Sequence, residues 1–215
     1  MALRTDPGEA VTILAIARDA APDIAEWIAY HRAIGVGHFR IYDDSRDGTG
    51  QRLRENPVLD GIVEVIDWPA SADPAAEGRG GSASAHAIPA LRRRGGWVAM
   101  LDVDQFLVPL VDDDLGGLLR RFADMPALAI ATRVFGGSGL ARGDDALRID
   151  RCRFAEPGEQ ETVIVRAEML EVIAGHPRRT DAGDLRARAT SGFAQVNRYP
   201  AGAGTEWLVG QTRAR

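Results

Sequence analysis

The chain has 215 residues, 45% of them hydrophobic and 27% charged, the composition of an ordinary globular domain. Its formal net charge of -5 argues against a general nucleic-acid coat, because neutralising phosphates takes a basic surface. All 26 basic residues are arginine and the single cysteine is Cys152, which excludes Schiff-base lysine chemistry, the Walker-type phosphate lysine, an internal disulfide framework and a multi-cysteine zinc site.

Met1 to Ala10 carries Asp6 and Glu9 and no apolar core, so no signal peptide is expected. Val11-Thr12-Ile13-Leu14-Ala15-Ile16 is apolar and rich in β-branched residues, which predicts a strand buried on both faces. Pro22 to Ile34 predicts a helix. Ile24, Trp27, Ile28 and Ile34 share one face, Pro22 suits the first turn, and Gly35 suits the position just past the end. His38 to Tyr42 predicts a second strand, and Asp43-Asp44-Ser45-Arg46-Asp47-Gly48-Thr49 a turn rich in local side-chain acceptors. A short helix is expected around Gln51 to Glu55, a third strand over Ile62 to Ile66, and a loop over Pro69 to Gly81. Ser84 to Arg94 reads as a helix, with Pro89 a candidate break. Trp97 to Leu101 predicts a fourth strand, which ends in Asp102-Val103-Asp104. Leu115 to Phe122 predicts a helix and Ala127 to Val134 a fifth strand, followed by the loop Phe135-Gly136-Gly137-Ser138-Gly139. Past Gly143 the pattern weakens; Thr162 to Val165 predicts a strand, and Ser191 to Arg215 has no clear period. No apolar run approaches the ~18 residues of a membrane span, so the default compartment is the cytoplasm. The arginine-rich tail leaves peripheral contact with anionic lipid open.

The first half alternates strand and helix, which predicts an α/β fold with a parallel sheet flanked by helices. Ligands of such sheets bind at the carboxyl ends of the strands. Asp19, Asp43, Asp44, Asp47, Asp102 and Asp104 all follow predicted strands, so they should converge on one rim. In an extended Asp102-Val103-Asp104 both carboxylates point to the same side and repel unless a cation lies between them. Hard oxygen donors suit Mg²⁺ or Mn²⁺, which can bridge to a diphosphate. Phosphatases of the haloacid-dehalogenase type also place Asp-x-Asp after a strand, but Phe106 and the absence of lysine argue against them. Asp43, Ser45, Asp47 and Gly48 imitate a calcium loop, yet its twelfth position is Arg54 rather than a bidentate Glu. A nucleotidyltransferase would need an early glycine-rich phosphate loop, which Ala17-Arg18-Asp19-Ala20-Ala21-Pro22 lacks.

Several motifs, in order, resemble the family-2-like glycosyltransferases of GT-A fold, and within them the subgroup of family 92. Ala15-Ile16-Ala17-Arg18-Asp19, then Glu26-Trp27-Ile28-Ala29-Tyr30-His31, resembles their Arg-Asp/Asn-Glu and Glu-Trp-x-x-Tyr-His opening. Gly35-Val36-Gly37-His38-Phe39-Arg40-Ile41-Tyr42-Asp43 is similar to Gly-Val-x-His-Phe-x-x-Tyr-Asp, and Ser45 to Thr49 resembles Ser-Thr-Asp-Gly-Thr. Trp97 to Leu107 resembles Trp-x-x-x-x-Asp-x-Asp-Glu-Phe-Leu, Phe135 to Gly139 a Phe-Gly-Ser-Ser-Gly loop, and Val196-Asn197-Arg198-Tyr199 a late Asn-His-Tyr.

The resemblance implies a single GT-A domain over 1–215, with a nucleotide-binding half at about 10–110 and an acceptor half at about 111–215. It implies an inverting transfer from a nucleoside-diphosphate sugar, with a lean to uridine, to a glycan or polysaccharide acceptor. It also implies Mn²⁺ or Mg²⁺ held by Asp102 and Asp104 with His176, and donor contacts from Arg18, Asp19, Asp43 or Asp44, Asp102, Gly137 and Ser138. An inverting reaction needs a carboxylate base, for which Asp144 and Asp145 are candidates, with Glu156 and Glu159 behind them. Trp27 and Ile28 are expected in the core, and His31 and His38 in structural roles. The sequence departs from the family pattern at Gln105, where Glu is usual, at Arg198, where His is usual, and at Thr162 and Gly204, where lysines are usual. These departures leave a second reading open, a catalytically impaired module that still binds nucleotide-sugar or glycan.

Overall fold

The computed structural model describes residues 10–68, 79–136, 147, 149, 154–170 and 187–200. Strand β1 (Val11–Ala17) is flanked by β2 (Val36–Asp43) and β4 (Trp97–Met100), both parallel to it. This central position explains its unbroken apolar sequence, because side chains on both faces are buried. Helix α1 (Ile24–Ala33) buries Ile24, Trp27, Ile28 and His31, and Gly35 just beyond it has a φ of +103°, a left-handed conformation that glycine adopts at little cost. Helix α2 (Thr49–Arg54) and β3 (Val63–Asp67) follow, and β3 pairs parallel with β2.

Helix α3 (Arg79–Arg94) is continuous through Pro89, the candidate break, and starts before the predicted loop would have finished. Pro89 removes one backbone hydrogen bond. Ala83, Ala87 and Leu91, spaced at four residues, hold the helix against Leu14, Tyr42 and Val98 of the sheet. Strand β5 (Gln105–Pro109), α4 (Leu115–Arg121), β6 (Ala127–Gly136), β7 (Phe154–Arg166), β8 (Ala187–Ala189) and β9 (Ala194–Arg198) complete the described elements.

The nine strands form one sheet in the order β3-β2-β1-β4-β7-β6-β9-β5, with β8 beside β6. The sheet is mixed. From β3 to β4 it is parallel as expected, but β7 runs antiparallel to β4 and to β6, and β5 runs antiparallel to β9. Phe135 and Gly136, expected in a glycine-rich loop, lie in β6 and pair with Ala155 and Phe154. One core cluster lies under α1 and α4, with Trp27, Phe39, Ile41, Phe106, Leu118 and Val196; the other lies under α3. Among the described residues no helix is long and apolar enough to cross a membrane.

Candidate active site

The carboxyl ends of β1, β2 and β4 lie side by side, so the acidic residues that follow them share one rim, as expected. Two loops of this rim are stitched together. Arg18 pairs with Asp44 at 2.9 Å. Asp19 adopts a φ of 50°, its N–H donates to Ser45 Oγ at 3.0 Å, and its Oδ1 accepts from the Arg46 N–H at 2.7 Å. Asp47 Oδ2 accepts from the Ala21 N–H at 2.9 Å, and its Oδ1 accepts from the N–H and hydroxyl of Thr49 at 3.0 and 2.5 Å. Burial pushes the Asp47 carboxyl up, but these bonds from Thr49 and Ala21 outweigh it and hold it below the usual carboxylate range. Ser45, Asp47 and Thr49 are therefore committed to holding the loop.

Asp43 and Asp44 differ in setting. Asp44 faces Arg18, whereas Asp43 Oδ1 accepts from the Ser45 N–H at 3.2 Å and its other oxygen presses on α2. A Cβ at position 50 would come within 1.9 Å of Asp43 Oδ2, so only Gly50 leaves room for that carboxylate.

Asp102 to Gln105 form a turn, not the extended segment on which the same-side argument for the two carboxylates relied. Gln105 closes it twice: its N–H donates to the Asp102 carbonyl at 2.9 Å, and its Oε1 accepts from the Asp102 N–H at 2.9 Å. Gln and Glu offer that oxygen equally, so the replacement of the family's Glu does not undo this turn. Asp104 Oδ2 accepts from Arg198 Nε at 3.1 Å, and its carbonyl accepts from the Tyr199 N–H at 2.7 Å. Asp104 Oδ1 is enclosed and has no hydrogen-bond partner among the described residues. An enclosed carboxylate oxygen without a donor fits a hard divalent cation. Asp102 stands two residues away, although the described residues hold no cluster of three or more His, Cys, Asp and Glu that would form a complete metal site.

Helix α1 holds this turn from outside. β5 is an edge strand, and its outer edge is satisfied by side chains at i, i+3 and i+4 of the helix. Trp27 Nε1 donates to the Gln105 carbonyl at 2.7 Å, Tyr30 donates to the Leu107 carbonyl at 3.2 Å, and His31 Nε2 accepts from the Leu107 N–H at 3.2 Å. Because an amide N–H only donates, Nε2 must be the bare nitrogen. His31 Nδ1 then carries the proton and donates to the Trp27 carbonyl at 2.8 Å. Burial pushes the His31 pKa down to about 4, the bond to Trp27 opposing, and keeps the ring neutral. Burial, aided by Tyr199, pushes Tyr30 up to about 12. Glu26 accepts from the Ile149 N–H at 3.2 Å. The Glu-Trp-x-x-Tyr-His motif is thus a clamp on the strand that follows Asp104. His31 has the structural role expected of it; Tyr30 was not singled out, although its helical spacing from Trp27 and His31 was there to read.

Gly137, Ser138, Asp144, Asp145 and His176 lie outside the described residues, as does Glu159 with respect to its side chain. Glu156 is exposed on β7. His86 Nδ1 meets the Tyr42 hydroxyl at 2.7 Å.

A glycosyltransferase family 92 protein of Oryza sativa subsp. japonica is 29% identical over 171 residues, which is 71% of this chain and 26% of that protein. The chain therefore spans about a quarter of the length of that relative. The solved structure of S. aureus TarS superposes on 76% of this chain and 29% of its own, with a TM-score of 0.40 and 12% identity. The model of the family described as glycosyltransferase family 92 matches residues 13–136. That span covers more than half of the 215 residues and takes in the stitched loops, the Asp102–Gln105 turn and the helix that clamps it, so the chain belongs to glycosyltransferase family 92.

Proposed function

We propose that the chain transfers a sugar, with inversion, from a nucleoside-diphosphate donor to a glycan or polysaccharide acceptor, on the cytoplasmic side of the cell and in the GT-A manner. Uridine is the expected base. The observation that carries this reading is Asp104. It sits on the rim at the carboxyl end of β4, in a turn braced by Gln105 and α1, with one enclosed oxygen that has no partner among the described residues.

In this reading Asp104 and Asp102 would hold Mn²⁺ or Mg²⁺, with His176 as a further ligand. Such an ion, when bound, supplies positive charge to the diphosphate leaving group. Arg18 and Asp44 lie where β1 and β2 end, and Asp44 accepts a hydrogen bond from the ribose or base, with Asp19 and Asp43 shaping the pocket behind them. Gly137 and Ser138 are assigned to donor binding. Asp144 or Asp145 takes the proton of the acceptor hydroxyl as its oxygen attacks the anomeric carbon, and the bond from that carbon to the diphosphate oxygen breaks. Gln105 keeps the Asp102 N–H occupied and so fixes the turn.

Uridine diphosphate titrated into the protein with and without Mn²⁺ tests the reading. Binding is expected to need the ion and to weaken by about tenfold or more in Asp104→Ala. Binding in neither condition would remove the donor site from this fold. The second reading, a binding module without turnover, is favoured by one observation, the Arg198 guanidinium resting on Asp104. Donor hydrolysis that disappears in Asp104→Ala would count against it.

A further inference from the structure

Along β2 the side chains alternate. Phe39 and Ile41 join the core under α1, and Tyr42 joins the cluster under α3. On the Tyr42 side, nearer the start of the strand, His38, Arg40 and Glu64 meet Leu91, Arg93 and Arg94 of α3 around a cavity of about 490 Å³. His38 precedes Asp43 by five residues, about 17 Å along a strand, so the cavity lies at the far end of β2 from the acidic rim.

The charges lining this cavity do not balance. Arg40 is paired with Glu64, which is the one acidic group among the lining residues. Arg93 and Arg94 are exposed and form no ion pair among the described residues. That leaves two guanidinium charges without a counter-charge. His38 lines the same cavity and reports on it. It is 6% exposed, and its Nδ1 is enclosed with no hydrogen-bond partner among the described residues. Burial, then Arg94 and to a lesser degree Arg40, holds its pKa down at about 4 against Glu64, so the ring is neutral at pH 7.

We propose that this cavity is a second binding site, for a ligand bearing a phosphate monoester. Two unpaired guanidiniums match the charge of a dianion, and their forked donors match its several oxygens. Arg40, already paired with Glu64, and the neutral His38 ring form the wall behind them. A carboxylate would leave one of the two charges unanswered. The phosphate belongs either to a soluble ester or to a lipid headgroup, which is the same chemistry from two sources.

The test follows the imidazole resonances of the four histidines by carbon-edited nuclear magnetic resonance while inorganic phosphate is added at pH 7. The His38 signal is expected to shift saturably, with half-saturation at or below about 10 mM, while chloride at equal ionic strength leaves it in place. The double variant Arg93→Ala, Arg94→Ala should lose the shift and keep its amide spectrum, since both side chains are exposed. In a parallel arm, vesicles of phosphatidylcholine with phosphatidate are sedimented with the protein. Co-sedimentation lost in the double variant assigns the phosphate to a lipid; a saturable shift without co-sedimentation assigns it to a soluble ester. No saturable shift in the wild type, or the same shift in the double variant, overturns the proposal.

Discussion

Arg198 and the proposed ion compete for one carboxylate. The guanidinium holds Asp104 Oδ2 at 3.1 Å while Oδ1 stays enclosed, without a partner among the described residues. A fixed positive charge so near disfavours a divalent cation on the same group, and the partial exposure of the pair softens the effect without removing it. Arg198→His takes that permanent charge away. Mn²⁺ titrated calorimetrically into this variant should bind about tenfold more tightly than into the wild type. An unchanged or weaker affinity would show that Arg198 does not contend for the site. At this scale the sequence is legible only in part. Asp102 and Asp104 stand out because carboxylates between apolar runs need a reason. Gln105 looks like a lost charge, yet its oxygen is spent on the Asp102 N–H, a role that depends on its partner and not on its type. That Arg198 faces Asp104 follows from the pairing of Gln105 with Arg198, which no local spacing encodes.

Between elements, the decisive contact is α1 on the bare edge of β5. The apolar face of the helix could be read from Ile24, Trp27 and Ile28. The strand could not, since Gln105–Pro109 is five residues long, begins in a turn, ends in proline and finds its partner β9 in a tail without a clear pattern. The clamp has a consequence for stability. His31 titrates at about 4 when folded and near 6.5 when unfolded. Above pH 6.5 both states hold a neutral ring and this contribution is whole. As pH falls from 6.5 toward 4 the unfolded chain takes up a proton that the folded chain refuses, so stability declines, and below 4 the decline from this group stops. The span corresponds to about 3 kcal/mol. His38, also held at about 4, steepens the decline in the same direction. Urea unfolding at a series of pH values should show this slope, and His31→Gln should be less stable at pH 7 and visibly flatter below 6.5. A variant with an undiminished slope would mean that His31 is not the buried neutral base of the clamp.

The whole molecule joins two kinds of sheet, and the candidate site needs both. The parallel part, β3-β2-β1-β4, was readable because buried parallel strands are apolar runs separated by helices. The antiparallel part was not: β7 contains Pro157 and Gly158, turn signals inside a strand, and only its apolar end, Thr162 to Val165, has a strand-like sequence. Yet β7 is the strand that joins β4 to β6, and β9 joins β6 to β5. The Asp102–Gln105 turn hangs between β4 in one part and β5 in the other, and the bonds from Arg198 and Tyr199 to Asp104 cross from residue 104 to the end of β9. The family match ends at residue 136, before either of these two strands. A chain cut after Gly136 would keep every rim residue from Arg18 to Asp104 but would leave β4 without β7, β6 without β7 or β9, and β5 with no strand at all. Exposed unpaired edges of that length do not persist in water as an ordered sheet. The truncated chain should therefore show no cooperative thermal transition by circular dichroism and a collapsed amide spectrum, while the full chain shows both a transition and dispersion. A cooperative melt in the fragment would mean that the parallel part folds alone and that the second part of the sheet only completes the site.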